Sequence, residues 1–104
     1  MNPRRVRRSR NYLESFQNLL EQGRPKYGVR VVEAKRAIVD RLITEFLSRH
    51  PRRPIDPVPG LYTYPVSGTP FLLIYDFDDD ELRLHLVVHV GMERSGIDLS
   101  DIQW

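Results

Sequence analysis

The segment Phe71-Leu-Leu-Ile-Tyr-Asp-Phe-Asp-Asp-Asp-Glu-Leu-Arg-Leu-His-Leu-Val-Val-His-Val90 decides the fold, because two strand-like runs flank a short acidic turn. The first run, residues 71–75, is continuously apolar, as expected of a strand buried on both faces. The second run alternates with the period of two that a pleated strand imposes. One face is predicted to carry Leu82, Leu84, Leu86, Val88 and Val90, and the other Arg83, His85, Val87 and His89. Because the acidic residues 78–80 favour a turn and resist burial, the segment predicts a β-hairpin.

Length and composition limit the class of protein. A chain of 104 residues with 40% hydrophobic content supports one domain, 1–104, with a single modest core. It contains no cysteine, which excludes a disulfide framework and a cysteine-based metal site. No apolar run approaches the roughly 20 residues that cross a bilayer, and the basic N-terminus is not followed by the apolar segment of a signal peptide. We therefore expect a cytoplasmic protein without a membrane partner.

Charge is distributed unevenly along the chain. Residues 1–53 contain 14 Lys or Arg and 5 Asp or Glu, a net charge of +9, whereas residues 54–104 contain 2 and 9, a net charge of −7. Such a dipolar surface suits an anionic partner on the basic side, such as nucleic acid or an acidic protein segment. It is equally consistent with helices and a sheet whose solvent-facing sides differ in charge.

Two amphipathic helices are predicted before the hairpin. The first starts at the N-cap Ser9 and is expected to stop at Gly23 and Pro25, about three turns later. The second is expected over about residues 27–49, ended by His50-Pro51. Its predicted apolar stripe is Val31, Ala34, Ile38, Leu42, Ile43, Phe46 and Leu47. The short connection favours an antiparallel helical hairpin over about residues 9–49.

The remaining segments complete an α+β prediction. Residues 4–9 could be an edge strand or a disordered arm. The proline-rich residues 51–60 are expected to form an extended loop, and residues 61–66 a strand weakened by Pro65. With the hairpin, this gives a small antiparallel sheet over about residues 61–90, packed against the helices and followed by a tail, 91–104.

The candidate chemical groups of the second half are histidines, tyrosines and one arginine. His85 and His89 are expected on one strand face, two pleats apart, where they could perform acid–base chemistry or simply be polar residues of a half-exposed face. Tyr75, with the tyrosines of residues 62–64, could form a stacking platform or ordinary core packing. Arg94 could contact a phosphate or balance Glu93.

The first ten residues contain five arginines and no acid: Arg4, Arg5, Arg7, Arg8 and Arg10. Such a cluster can reach phosphates with a salt-sensitive affinity, or act as a solubilising arm. The acidic turn matches no calcium-binding loop, and no nucleotide-binding glycine loop, zinc-binding helix or nucleophile elbow is present. No cofactor and no metal ion are therefore expected.

The order of elements resembles the RelE/ParE superfamily of toxins from bacterial type II toxin–antitoxin modules. The resemblance covers nearly the whole chain. Its parts are a short basic first segment, a helical hairpin closed by a proline, Leu61-Tyr62, Gly68-Thr-Pro-Phe-Leu-Leu-Ile-Tyr75, an acidic turn and Leu86-Val-Val-His-Val-Gly-Met-Glu-Arg94. In that family the first strand joins the sheet, so the resemblance implies a strand at residues 4–9.

The resemblance also implies a function and partners. Members inhibit growth and are neutralised by a cognate antitoxin, which implies a toxin–antitoxin hetero-oligomer. The ParE-like branch poisons DNA gyrase, and the RelE-like branch cuts mRNA on the ribosome. A toxin that only binds gyrase needs no catalytic groups.

The residues favour the ParE-like branch. Positions where basic RelE-like cleavers carry lysine or arginine hold Thr63, Pro65, Leu72 and Glu93 in this chain, so the cations that would stabilise a scissile phosphate are missing there. If the chain is instead a metal-independent endoribonuclease, the implied groups are His89 or His85 as general acid or base, Arg94 on the phosphate and Tyr75 lining the site. A nucleic-acid-binding module that uses the arginine cluster is a third hypothesis.

Overall fold

The computed structural model describes residues 3–49, 61–90 and 102–104. Its elements, in chain order, are β1 (Arg5–Arg8), α1 (Arg10–Tyr27), α2 (Val29–Arg41), a π-helical continuation of α2 (Leu42–Leu47), β2 (Tyr62–Pro65), β3 (Phe71–Phe77) and β4 (Glu81–His89). No helix of the described residues is both long and apolar enough to cross a membrane. The expected loop at 51–60 and most of the tail lie outside the described residues.

The four strands form one sheet in the order β1-β4-β3-β2. The β2–β3 and β3–β4 pairs are antiparallel, as the hairpin prediction requires, and β1 pairs with β4 in parallel. A parallel neighbour needs a crossover connection, which the helical segments and two further strands supply. The α+β fold is confirmed, including the strand expected at the N-terminus, and the sheet is mixed because of β1.

The helices cover one face of the sheet, with α1 lying mainly across β4. The main core fills this interface and includes Tyr12, Phe16, Leu20, Val39, Ile43, Leu47, Leu73, Tyr75 and Leu84. A smaller cluster of Leu72, Ile74 and Val88 lies on the opposite face, called here the outer face. Buried apolar side chains on both faces of β3 explain its continuous apolar run.

The first helix is longer than predicted. It continues through Gly23 and Pro25 and ends at Gly28, whose φ of 83° is the left-handed conformation that glycine adopts readily. Pro25 lies in the last turn of α1 and cannot donate an amide hydrogen bond to the carbonyl of Glu21, so the helix continues past it with one bond fewer. Gly23 does not end the helix. It lets α1 and α2 pack closely, since a Cβ built there would lie 3.3 Å from Val32 Cγ2 of α2.

The second helix occupies most of the predicted range but buries a different stripe. Val32 and Val39 are buried, whereas Val31 and Ile38, which were predicted on the apolar stripe, are 42% and 41% exposed. Several apolar residues are adjacent in this helix, so periodicity alone could not decide which of them faces the sheet. Only the π-helical part follows the prediction, since Ile43 and Leu47 are fully buried.

A β-bulge makes the predicted faces of β4 wrong. Ile74 pairs with Leu86 but its neighbour Tyr75 pairs with Leu84, so His85 is an extra residue in β4. The bulge shifts the alternation by one position. Leu82 and Leu84 pack in the main core together with Val87, whereas Leu86 and Val88 belong to the cluster on the outer face.

Ser9, the N-cap of α1, and Ser15 within α1 satisfy backbone groups at the bulge. Ser9 Oγ donates to the His85 carbonyl at 2.6 Å and accepts from the Tyr12 amide at 2.8 Å, so one hydroxyl caps the helix and binds the strand. Ser15 Oγ accepts from the Val87 amide at 3.2 Å. A bulge disrupts the ladder locally, and buried backbone groups need partners. These contacts fix β4 against α1.

Candidate functional site

Five side chains form a polar cluster on the outer face of the sheet, called here the outer-face cluster: Arg7, Asp76, Arg83, His85 and Trp104. The registers explain their proximity. Arg7 is the parallel partner of Arg83, and Asp76 is the antiparallel partner of Arg83. The bulge turns His85 towards the same side, where its Nε2 lies 3.0 Å from Asp76 Oδ1.

Arg83 is surrounded by carboxylates. Its guanidinium donates to both oxygens of Asp76, at 3.0 and 3.2 Å, to Asp78 Oδ2 at 2.9 Å and to Glu81 Oε1 at 3.1 Å. The hydrogen bonds that Arg83 donates to Asp76 and Asp78 raise the pKa of Arg83 above its ordinary value. Three carboxylates therefore neutralise this one cation and occupy its donors.

The Asp76 carboxylate also orients His85. Burial raises the pKa of Asp76, but hydrogen bonds from Arg83 and His85 outweigh burial, so the pKa of Asp76 lies below its ordinary value. An ionised carboxylate at 3.0 Å favours the tautomer whose proton lies on the facing nitrogen, Nε2. The His85–Asp76 pair is thus a histidine and a carboxylate at hydrogen-bond distance on the outer face.

The Trp104 side chain packs against His85 of this pair. Its ring meets His85 edge to face, with centroids 4.8 Å apart, and the Arg7 guanidinium lies 5.3 Å from the Trp104 ring centroid. The backbone of Gln103 holds the tryptophan in place, because its amide donates to Asn11 Oδ1 at 2.8 Å and its carbonyl accepts from the Arg10 amide at 2.7 Å. The imidazole is thus packed between a carboxylate and an indole.

This arrangement is poorly suited to phosphate. Arg7 and Arg83 bring two positive charges, while Asp76, Asp78 and Glu81 bring three negative charges. A phosphate entering the cluster would have to compete with carboxylates for the same donors and would be repelled by them. The cluster therefore offers a base or a polar contact, while Arg83 is bound to carboxylates and Arg7 lies beside Glu81 and the Trp104 ring.

The structure separates the residues that sequence analysis grouped as a catalytic set. His85 lies on the outer face, whereas His89 pairs with Phe71 and lies on the helix side, so the expectation that both histidines share a face is wrong. The cause is again the bulge, because His85 is itself the extra residue and the alternation starts anew at Leu86. Tyr75 is fully buried on the helix side, with its ring centroid 5.8 Å from that of Tyr62. Arg94 lies outside the described residues.

The N-terminal arginines are spread over both faces of β1. Arg4 donates to the Asp78 carbonyl at 2.6 Å, and Arg10 pairs with Glu14 at 3.1 Å. Arg7 contacts Glu81 and Trp104 on the outer face, and Arg8 lies near the buried Tyr12 on the helix side. Arg5 is exposed. Arg5, Arg7 and Arg8 belong to the edge strand β1, whereas Arg4 precedes it and Arg10 begins α1, and the five side chains do not converge on one surface.

Sequence reasoning missed the pairing of Asp76 with Arg83 and the position of Trp104. A signal for the first exists in the sequence, because the two residues are symmetric about the turn, next to the last strand pair Phe77–Leu82. No sequence pattern indicates that the ring of Trp104, 19 positions further along the chain, contacts the ring of His85.

Comparisons with known proteins identify the fold. No protein-family model matches the sequence, and no curated protein matches it. Among solved structures, the fold is similar to a chain of the "Chromosomal ParDE TA system from P. aeruginosa", with a TM-score of 0.68 and 14% sequence identity over 83% of this chain and 95% of that chain. The chain therefore has a RelE/ParE-like fold, that of a chain from a toxin–antitoxin system.

Proposed function

We propose that this protein is the toxin of a type II toxin–antitoxin module, that a cognate antitoxin neutralises it in a hetero-oligomer, and that it inhibits growth by binding DNA gyrase. The likeness of fold to a chain of a ParDE toxin–antitoxin structure supports the toxin–antitoxin part. The choice of target rests on the outer-face cluster.

The pairing of Arg83 with three carboxylates is the observation that favours gyrase over mRNA as the target. Phosphodiester cleavage through a 2′-hydroxyl develops negative charge on the phosphate, which preorganised cations must stabilise. The guanidinium of Arg83 already forms ion pairs with the carboxylates of Asp76, Asp78 and Glu81. The described positions where the resemblance to RelE-like cleavers implies cations, residues 63, 65 and 72, are Thr, Pro and Leu. A toxin that acts by binding a protein needs none of these cations.

The alternative is a RelE-like, metal-independent endoribonuclease that cuts mRNA on the ribosome. The His85–Asp76 pair favours this alternative, since an imidazole that a carboxylate holds in place can act as a general base. In this alternative His85 removes the proton from the 2′-hydroxyl, and His89 on the other face has no part in the step.

Expression of the chain in a bacterial host, with and without the protein encoded by the adjacent reading frame, tests the function. Growth arrest that the second protein relieves is the expected result. Normal growth of cells that contain the folded chain alone would contradict the toxin proposal.

Primer extension on mRNA from arrested cells separates the two targets. We expect intact transcripts for the wild type and for the single variants His85→Ala and His89→Ala. Codon-specific cuts that disappear in His85→Ala and persist in His89→Ala would instead favour the endoribonuclease.

A further inference from the structure

The ring of Trp104 lies in a place that two strands of the outer face provide. Its plane is perpendicular to that of the His85 imidazole, with centroids 4.8 Å apart, and the Arg7 guanidinium lies over its face, 5.3 Å from the centroid. Edge-to-face packing and cation–π attraction are contacts that only an aromatic ring makes. The place beside His85 and Arg7, called here the ring site, therefore selects a flat ring.

The ring site does not depend on its present occupant. His85 is held by Asp76, since its Nε2 lies 3.0 Å from Asp76 Oδ1. Arg7 belongs to β1, which pairs with β4, and its guanidinium lies 4.0 Å from a carboxylate oxygen of Glu81. Both contact groups are thus positioned by the sheet, and the same contacts are available to another ring.

The residue before the ring is bound only through its main chain. The amide of Gln103 donates to Asn11 Oδ1 at 2.8 Å, and its carbonyl accepts from the Arg10 amide at 2.7 Å. Arg10 is the first residue of α1, so its amide has no acceptor inside the helix. Any extended segment can supply these two groups, while the ring that follows gives the specificity.

The attachment of residues 102–104 is superficial. Trp104 is 44% exposed, and the bond from Gln103 to Asn11 is exposed as well. Trp104 belongs to neither core cluster of the described residues. Segments with few buried contacts open without unfolding of the whole domain. The tryptophan can therefore leave the ring site while the sheet and the helices stay folded.

The charges around the ring site favour a protein ligand over a nucleotide. Asp76, Asp78 and Glu81 outnumber Arg7 and Arg83, and they already pair with these two cations. A nucleobase would bring its phosphate towards these carboxylates, which repel it. An aromatic side chain of a protein brings a ring without that charge.

We propose that the ring site binds an aromatic side chain of a protein partner, which an extended segment presents, and that Trp104 occupies the site until the partner displaces it. The partner's main chain then takes over the two bonds of Gln103. This inference goes beyond the proposed function and does not depend on the choice between gyrase and mRNA.

A variant with an empty ring site tests the selectivity. In purified Trp104→Ala, N-acetyltryptophanamide is titrated while the NMR signals of the His85 imidazole are followed, with those of the exposed His89 as internal reference. We expect the His85 signals to leave their wild-type positions in the variant and to return towards them with the probe, because an aromatic ring again lies beside the imidazole. N-acetylleucinamide is expected to have no effect. Tyr27→Ala, which removes an exposed aromatic ring elsewhere, is the control variant.

The contribution of the guanidinium is tested in the same background. Arg7→Gln is expected to weaken binding of N-acetyltryptophanamide by about threefold, since the cation–π contact is lost at an exposed site. Arg5→Gln, two residues earlier on the same strand and also exposed, is expected to leave the affinity unchanged.

Several results would overturn the proposal. They are unchanged His85 signals in Trp104→Ala, equal responses to the tryptophan and leucine probes, equal affinities in the two arginine variants, and no binding up to roughly 10 mM. Tighter binding of adenosine monophosphate than of N-acetyltryptophanamide would also overturn it, because the site would then be one for nucleotides.

The intact chain tests whether Trp104 can leave. It is the only tryptophan of the chain, so its fluorescence reports on this residue alone. We expect acrylamide to quench it more strongly in Asn11→Ala, which loses the bond to the Gln103 amide, while far-UV circular dichroism stays that of the wild type. Asn18→Ala, an exposed position further along α1, is the control. Equal quenching in all three proteins, or a loss of helix signal in Asn11→Ala, would contradict a displaceable tryptophan.

Discussion

Ser9 performs two structural tasks with one hydroxyl group. It accepts from the Tyr12 amide as the N-cap of α1, and it donates to the carbonyl of His85 at the bulge of β4. Its side chain is fully buried, so both partners lose their bond without replacement by water when the hydroxyl is removed. The residue therefore couples the start of α1 to the strand that carries the outer-face cluster.

Ser9→Ala is expected to lower the free energy of unfolding by about 1–2 kcal/mol, because a cap and a buried acceptor are lost together. Urea denaturation measures the change. Ser67→Ala, in an exposed turn, is the control and is expected to change stability by less than about 0.5 kcal/mol. Equal effects of the two substitutions would contradict the double role of Ser9.

Arg83 couples the stability of the sheet to pH. Hydrogen bonds from Arg83 and from the turn amides lower the pKa of Asp78 to about 2, and the pKa of Asp76 is also below its ordinary 3.8. The native state therefore binds fewer protons than the unfolded state in this range. The stabilisation is complete above pH 3.8 and is lost as the pH falls towards 2.

Arg83→Gln removes the cation that lowers both pKa values. We expect the free energy of unfolding of this variant to fall less steeply than that of the wild type between about pH 5 and pH 2. Urea denaturation across this range gives the two slopes, and Arg41→Gln, an exposed helix residue paired with Glu45, is the control. Parallel slopes for Arg83→Gln and the wild type would contradict the assignment.

At the scale of elements, β3 is the centre of the fold. It lies between β2 and β4 and buries side chains on both faces. Leu73, in the main core, is fully buried, whereas Leu13 on α1 is 54% exposed. Comparing the loss of stability on truncation of each leucine therefore tests whether the helices pack on this face of the sheet.

Leu73→Ala is expected to destabilise the protein by about 2–5 kcal/mol, the range for removing a buried leucine side chain. Leu13→Ala is expected to change stability by less than about 0.5 kcal/mol. Thermal denaturation of both variants measures the difference. Similar effects for the two would contradict the orientation of α1 on the sheet.

The hairpin shows how far sequence could predict the elements. Continuous apolar residues, an acidic turn and an alternating run were enough for β3, β4 and their antiparallel pairing. The bulge at His85 was not predictable, because alternation carries no mark of an inserted residue until its hydrogen-bond partners are known. That one residue reversed the faces of Val87 and Val88 and separated His85 from His89.

The helices illustrate a second limit. Apolar spacing predicts their existence, but Gly23 and Pro25 predict a helix end that is absent, because a close helix contact can be recognised only once α2 is in place. The outer-face cluster depends on contacts between distant parts of the chain. Arg7, Arg83 and Trp104 meet only because β1 pairs with β4 and the chain returns at residue 104.

At the scale of the whole molecule, the charge asymmetry does not produce one basic surface. The arginines of residues 4–10 lie on both faces of the sheet, and Arg4, Arg7 and Arg10 already contact carbonyls, carboxylates or aromatic rings of the same chain. On α2, Arg36 and Arg41 also lie near acids one turn away. A nucleic-acid-binding module would need these cations converging and available.

We therefore expect only weak, sequence-independent binding of the purified chain to duplex DNA. Its dissociation constant should be no tighter than roughly 10 μM at physiological salt, and the affinity should fall further as salt is raised. Fluorescence anisotropy with a labelled duplex measures it. Nanomolar, sequence-dependent binding would support the nucleic-acid-binding module instead.

The proposed choice of gyrase over mRNA as the target rests on Arg83, which binds three carboxylates of the β3–β4 hairpin. The decisive measurement incubates the purified chain with DNA gyrase, ATP and supercoiled plasmid, and resolves the products after protein digestion. We expect linear DNA that appears only when both proteins are present. No linear DNA, while the same preparation cuts mRNA in a translation reaction, would contradict the proposed binding of gyrase.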